Sequence, residues 1–285
     1  MQQFRPYRLG RFDISRPWVM GILNVTPDSF WAGSRCDTEQ AIERRVGQML
    51  DEGADVIDIG AYSTRPGAAE VPPDEEMARL ARAIRVLRQL VPDVATSVDT
   101  FRAQVANYAV SELGIDMVND VSGGTLDPGM FGTVARLGVP YVLMHMRGTP
   151  ATMQQLTDYD NLVEDVVADL RSKLDTLRGM GVSDVVVDPG FGFSKTLQQN
   201  YQLMAQLEAF HDLEAPLLVG ISRKSMIYKA LGCTPDEALN GTTVLNTMAL
   251  MAGAHILRVH DVKAAVEARA LVEKARQSTS NNSKL

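Results

Sequence analysis

The chain has 285 residues, 45% hydrophobic and 22% charged, with a net charge of −7. That is the composition of an ordinary globular protein rather than a fibrous or low-complexity one. The acidic balance excludes non-specific nucleic-acid binding through a basic face, and no stretch of 18 or more apolar residues offers a membrane span.

The opening segment Phe4–Ile14, centred on Gly10, reads as a hairpin. Eight short apolar runs follow: Trp18–Val25, Val56–Gly60, Thr96–Val98, Met117–Val118, Tyr141–Met144, Val185–Val187, Leu217–Ile221 and Ile256–Val259. They are β-branched-rich and apolar on both faces, as strands are when covered on two sides. Between them the period becomes helical, in AIERRVGQML, EEMARLARAIRVLRQL and NLVEDVVADLRSKLDTLRGM. Asp37 or Thr38 and Pro73-Asp74 mark helix starts, while Pro92 and Gly181 mark ends. The strand ends between residues 24 and 258 recur about every 33 residues, and a strand–helix–strand unit needs about 30. The expected fold is a single α/β domain, a (β/α)8 TIM barrel over residues 16–276. The hairpin of residues 1–15 closes its bottom, and residues 277–285 form a disordered tail. Two cysteines, Cys36 and Cys233, show no metal-type spacing. With no apolar leader at the start, they point to a cytoplasmic protein.

In such a barrel all strand ends converge on the face where active sites are built. The first run leads into GILNVTPDSF, with Asn24 at the strand end, and the second into IGAYSTRPGA, with Ser63, Thr64 and Arg65 ahead of Pro66-Gly67. The eighth carries Arg258 and His260 in RVHD. Strands one, two and eight are neighbours in a closed barrel, so Asn24, Arg65, Arg258 and His260 share a sector able to hold pyrophosphate. Strands three, four and six end in Asp99, Asn119 and Asp188. These acceptors need donors, which a flat heterocycle with ring N–H and amino groups supplies. Lys224, in ISRKS, is placed to donate to a ring carbonyl, and Ser225 stands where a helix start could meet a carboxylate. Phe30 and Phe193 could wall an aromatic substrate. His145, in LMHMRGTP, reads equally as a site residue or a structural one. Tight transition-metal motifs are absent, whereas Mg²⁺ carried in on phosphate needs few protein ligands.

The strings GILNVTPDSF, STRPGA, SVDT, NDVSGG, MHMRGTP, DPGFGF, GISRKS and RVHDV, in that order, resemble the dihydropteroate synthases across almost the whole barrel. The resemblance implies condensation of 6-hydroxymethyl-7,8-dihydropterin pyrophosphate with p-aminobenzoate, giving 7,8-dihydropteroate and pyrophosphate in folate biosynthesis. It implies a pterin site on Asp99, Asn119, Asp188 and Lys224. Pyrophosphate would meet Asn24 (with Mg²⁺), Arg65, Arg258 and His260, and p-aminobenzoate would lie near Phe30, Thr64, Pro66, Phe193 and Ser225. Asp99, Asp188, Lys224, Arg65, Arg258 and His260 would carry the catalysis. A homodimer and inhibition by sulfonamides are further implications. The chain departs from the family pattern at Gly60-Ala61-Tyr62, where GGE is usual, and at Trp31–Arg35 after DSF. Two alternatives remain at this point: a catalytically silent pterin-binding paralogue, and a pterin-dependent corrinoid methyltransferase, which would have no use for the phosphate sector.

Overall fold

The computed structural model describes residues 4–26, 36, 38–62 and 70–282, with the backbone alone for 279–282. Strands β1 (Tyr7–Leu9) and β2 (Phe12–Ile14) form the expected antiparallel hairpin. The second sheet contains β3 (Trp18–Asn24), β4 (Val56–Gly60), β5 (Ala95–Asp99) and β6 (Met117–Asp120). It continues with β7 (Tyr141–Met144), β8 (Val185–Asp188), β9 (Leu218–Val219) and β10 (Ile256–Val259). Its order is β8-β7-β6-β5-β4-β3-β10-β9, with every pairing parallel. A parallel bridge between Val187 and Leu217 joins the two ends, so the sheet wraps into a barrel.

Alternation along each strand sorts side chains into two cores. One set, including Val19, Leu23, Ile57, Ile59, Val98, Val187 and Leu257, is buried in the large cluster beneath the helices. The alternate set, Trp18, Met20, Val56, Ala95, Met117, Val142, Val186, Leu218 and Ile256, fills the lower barrel interior. Leu9 and Ile14 of the hairpin pack into that second cluster, so the hairpin does close the bottom. Burying an aliphatic side chain of this size contributes about 1.5–3 kcal/mol. Gly10 N–H donates to Asp184 Oδ2 at 3.0 Å, tying the hairpin turn to the approach to β8.

The helices are α1 (Glu39–Asp51), α2 (Pro73–Leu90), α3 (Ala103–Ser111), α4 (Met130–Leu137) and α5 (Leu162–Gly179), then α6 (Leu197–Ala205), α7 (Ser225–Leu231), α8 (Leu239–Met251) and α9 (Val262–Asn282). Local chemistry explains several starts. Thr38 accepts the Ala41 N–H ahead of α1, Pro73 opens α2, and Thr196 with Gln199 forms a capping box on α6.

Three features differ from the sequence expectation. The seventh strand keeps only Leu218–Val219 in regular pairing; Leu217 is held by the bridge to Val187, and the ladder stops before Gly220, a residue with no side chain to pack against its neighbours. Two helices, α7 and α8, follow it where one was expected, since Gly232 in a left-handed conformation (φ 64) stops α7 after seven residues. Finally, α9 runs through Asn282, past the expected boundary at 276. There Ser278 Oγ donates to Lys274 O and stays within the helix instead of ending it.

Candidate active site

At the C-terminal ends of the strands a cavity of about 400 Å³ opens, lined among others by Asn24, Tyr62, Asp99, Asn119, Asp188 and Phe193. Ser222, Lys224, Ser225, Arg258 and His260 also belong to its polar lining. Nine of the thirteen residues expected at the site therefore share one cavity: Asn24, Asp99, Asn119, Asp188, Phe193, Lys224, Ser225, Arg258 and His260. The other four, Phe30, Thr64, Arg65 and Pro66, lie outside the described residues, as do Ser63 and the segment Trp31–Arg35.

Strand parity explains the grouping. Asp99 pairs with Gly60 on one side and Asn119 on the other, so these residues stand at one level. Asp188 and Arg258 occupy interior positions of β8 and β10, two residues beyond the core residues Val186 and Ile256. His145 has the opposite parity and does not line the cavity. It is buried, with Nδ1 taking the Lys195 ammonium at 3.0 Å. Its role is structural.

Arg258 is the hub. Its Nε donates to Asp58 Oδ2 at 2.6 Å and its Nη2 to Asp99 Oδ2 at 2.6 Å. Two carboxylates beside this guanidinium hold its pKa above the usual value despite burial. Asp99 is pushed up to about 7 by burial, with Arg258 opposing and Asp58 adding to the rise. The guanidinium thus faces the carboxylates Asp58 and Asp99 in a cavity whose lining it shares with Asn24 and His260. Interior parity sets it beside a carboxylate that needs a cation.

Burial also raises Asp188, against the attraction of Lys224. Its Oδ1 accepts the Gly190 N–H at 2.8 Å. Lys224 Nζ donates to Phe191 O at 2.7 Å and stands 4.7 Å from the centre of the Phe193 ring. Burial lowers this ammonium to about 8, with Asp188 holding it up. Val121, Met144 and Met153, with Phe193 packed against them and Met146 behind, form an apolar wall for a flat ring to lie on. His260 is pushed down to about 3 by burial and surrounding cations. Ser222 Oγ accepts the His260 backbone N–H at 3.1 Å and lies 3.1 Å from Nδ1. That contact holds the neutral imidazole at the cavity wall.

Sequence reasoning missed four supporting groups. Asp58 is fully buried in β4 and accepts from Asn119 Nδ2 at 3.0 Å as well as from Arg258. A carboxylate within VIDIG at the same parity as Gly60 was the available signal. Lys195 Nζ donates to Gly190 O and Phe193 O, each at 3.0 Å, and so fixes the loop after β8. Arg223 donates to both Asp261 oxygens, Pro235 O and Asp236 O, all at 2.8 Å, tying the ends of β9 and β10 together. Asp120, adjacent to Asn119 but of opposite parity, accepts from Ser122, Gly124 and Tyr141 instead of facing the cavity. Tyr62, where the sequence departs from the usual pattern, meets the Phe101 ring edge-on at 5.1 Å, with the Arg102 guanidinium 4.9 Å from its centre.

Residues 20–260 match the family described as pterin binding enzyme. The chain is 42% identical over 263 residues to the dihydropteroate synthase of Escherichia coli strain K12, covering 92% of each protein. It is 44% identical over 252 residues to that of a Synechocystis strain, covering 87% of this chain and 86% of the relative. The Yersinia pestis dihydropteroate synthase in complex with a sulfonamide drug superposes with a TM-score of 0.90 at 41% identity, covering 96% of this chain and all (100%) of the other. The Xanthomonas albilineans dihydropteroate synthase with 4-aminobenzoic acid gives 0.84 at 38% identity, covering 93% and 95%. With its barrel, its cavity at the strand ends and identity of this extent along nearly the whole length, the chain belongs to the dihydropteroate synthase family of pterin-binding enzymes.

Proposed function

We propose that the protein condenses 6-hydroxymethyl-7,8-dihydropterin pyrophosphate with p-aminobenzoate, forming 7,8-dihydropteroate and releasing pyrophosphate. The observation that carries this reading is the cavity in which Asp99, Asn119, Asp188, Lys224, Arg258 and His260 meet, in a chain 42% identical to a dihydropteroate synthase. The pterin-binding paralogue without activity and the corrinoid methyltransferase are not favoured by that identity.

The reacting bond joins the pterin methylene carbon to a pyrophosphate oxygen, which leaves with the electron pair. The ring delocalises the resulting positive charge, and the aniline nitrogen of p-aminobenzoate bonds to the carbon and loses a proton. Asp99 and Asp188 favour the cationic ring, while Lys224 donates to the ring carbonyl and also holds Phe191 O. Arg258 and the His260 imidazole stabilise the departing anion, with Arg65 assigned to the same task by family resemblance. No side-chain nucleophile takes part. Phe193 and Ser225 border the cavity on the side assigned to p-aminobenzoate, and Phe30, Thr64 and Pro66 belong to that assignment.

Among the described residues no group of three His, Cys, Asp or Glu side chains could hold a metal by itself. A Mg²⁺ ion riding on pyrophosphate needs few protein oxygens, and Asn24 fits that need. A Cβ on Gly60 would lie 3.3 Å from Asn24 Oδ1, so the glycine leaves room beside that oxygen. Asn24 is therefore assigned as the protein ligand, and the metal would supply charge neutralisation of the leaving group.

A homodimer is part of the proposal. Val244, Met248 and Met251 project from α8, 51%, 44% and 46% exposed, at the spacing of a single helix face. Neighbouring Leu271 of α9 is 73% exposed, and a second copy covering this stripe would bury it. Sulfonamides, which mimic p-aminobenzoate, are expected inhibitors. No helix among the described residues is long and apolar enough to cross a membrane, and a chain with only two cysteines accords with a cytoplasmic location. The test is to supply labelled p-aminobenzoate with the pterin pyrophosphate and follow the label. Its appearance in a pterin conjugate, suppressed by a sulfonamide, is expected; label that stays in free p-aminobenzoate contradicts the proposal.

A further inference from the structure

Asp58 does not line the cavity, yet it touches two residues that do. One oxygen, Oδ2, accepts from Arg258 Nε at 2.6 Å and from Asn119 Nδ2 at 3.0 Å. The side chain is fully buried. Oδ1 has no hydrogen-bond partner among the described residues, and the same holds for Ser97 Oγ, whose residue pairs with Asp58 across β4 and β5.

A carboxylate paired with a guanidinium can only accept. Asn119 must therefore turn its NH₂ toward Asp58, which leaves its amide oxygen on the other side, where the residue borders the cavity. A free asparagine could offer either end to a ligand. Here the choice is made from below.

We infer that Asp58 is a specificity-determining positioning residue, which sets the hydrogen-bond polarity of the heterocycle site by fixing Asn119 with its oxygen toward the ligand and holding the Arg258 guanidinium beside it. The inference rests on the reading of this cavity as a pterin site and adds the reason for its selectivity. With Asn119 fixed this way, Asn119 and Asp188 both present acceptors and Lys224 presents the donor. That set favours a ring bearing an exocyclic amino group over the same ring without it. It acts against the isostere because an acceptor would face no donor.

The experiment measures binding of pterin and its 2-desamino analogue by calorimetry to the wild-type protein and to Asp58→Leu, Asn119→Ala and the double variant. Tight pterin binding by the wild type checks the pterin-site reading independently of the variants. Asp58→Leu should weaken pterin binding by about tenfold or more, and shrink the preference for the amino compound, because the freed amide no longer presents a fixed acceptor. In the Asn119→Ala background the same substitution should change that preference little, since the residue it acts through is gone. Effects that add, or a preference that Asp58→Leu leaves intact, would overturn the inference, since a purely structural role acts equally with and without Asn119. Asp58→Asn serves if Asp58→Leu fails to fold. Its amide oxygen can occupy the Oδ2 position and accept from both partners, so the preference should survive although Arg258 loses a counter-charge. A preference as low as that of Asn119→Ala would refute the proposed role of the accepting oxygen.

Discussion

Replacing Asp188 with asparagine changes one atom in the cavity, and the neighbouring backbone decides which way the new amide points. Gly190 N–H donates to Asp188 Oδ1 at 2.8 Å, so the asparagine oxygen takes that bond and the NH₂ turns toward the ligand. A donor then faces the donors of the pterin ring at a desolvated position. Breaking one side of such a buried, charge-assisted pairing costs about 2–5 kcal/mol, equivalent to about 30- to 4000-fold in Kd. Folding should not suffer, because burial already raises the Asp188 pKa, and a group so shifted disfavours its own charged form in the folded protein. Calorimetric titration with 6-hydroxymethylpterin measures the loss, and a thermal melt run in parallel should show a midpoint no lower than that of the wild type. Binding within about threefold of wild type, well below the cost of that broken pairing, would refute both the assignment of Asp188 to the pterin and the reasoning about its orientation.

Gly190→Ala should destabilise the protein by several kcal/mol, roughly the cost of overpacking combined with a strained backbone. The residue has φ 72 and an added Cβ would fall 2.0 Å from His145 O, so an unchanged urea midpoint would contradict the close approach of that loop. Lys195→Met should raise the KM for p-aminobenzoate about tenfold, because Gly190 O and Phe193 O each lose a hydrogen bond; an equal loss of pterin affinity would mean that the loop does not act on the aminobenzoate side. Burial lowers His145, His260 and His255 to about 2, 3 and 4. Above an unfolded pKa of about 6.5 neither state binds these protons; below it the unfolded chain does and the folded one does not, so stability falls with pH by about 1.4 kcal/mol per unit for each imidazole. Urea denaturation at pH 7, 6 and 5 should show that slope developing, and a flat stability across the range would contradict the neutral buried histidines.

Much of this arrangement is legible in the sequence because a parallel barrel repeats one simple code. Short β-branched runs alternate with amphipathic segments, and polar residues at their junctions gather at one end. The residues at the interior positions Asp99, Asn119, Asp188 and Arg258 follow from that code alone. What escaped it depends on parity and on partners far away in sequence. His145 and Asp120 sit at strand ends like the site residues but face the helices, where Lys195 and Tyr141 meet them. Asp58 looked like part of a buried strand, and its importance appears only when Arg258, 200 residues later, arrives beside it. The division of the last crossover into α7 and α8 depended on the left-handed turn at Gly232, whose stop signal, a glycine with Pro235 three residues on, was there to be read.

The central claim is that the cavity joins the pterin to p-aminobenzoate at the expense of the pyrophosphate bond. Pyrophosphate release by the purified protein, with Mg²⁺ and dihydropterin pyrophosphate, measured with and without p-aminobenzoate, tests this most directly. Release matched mole for mole by dihydropteroate and dependent on p-aminobenzoate is the expected result. Tight pterin binding with no p-aminobenzoate-dependent release would contradict the account and mark the protein as a pterin binder without synthase activity.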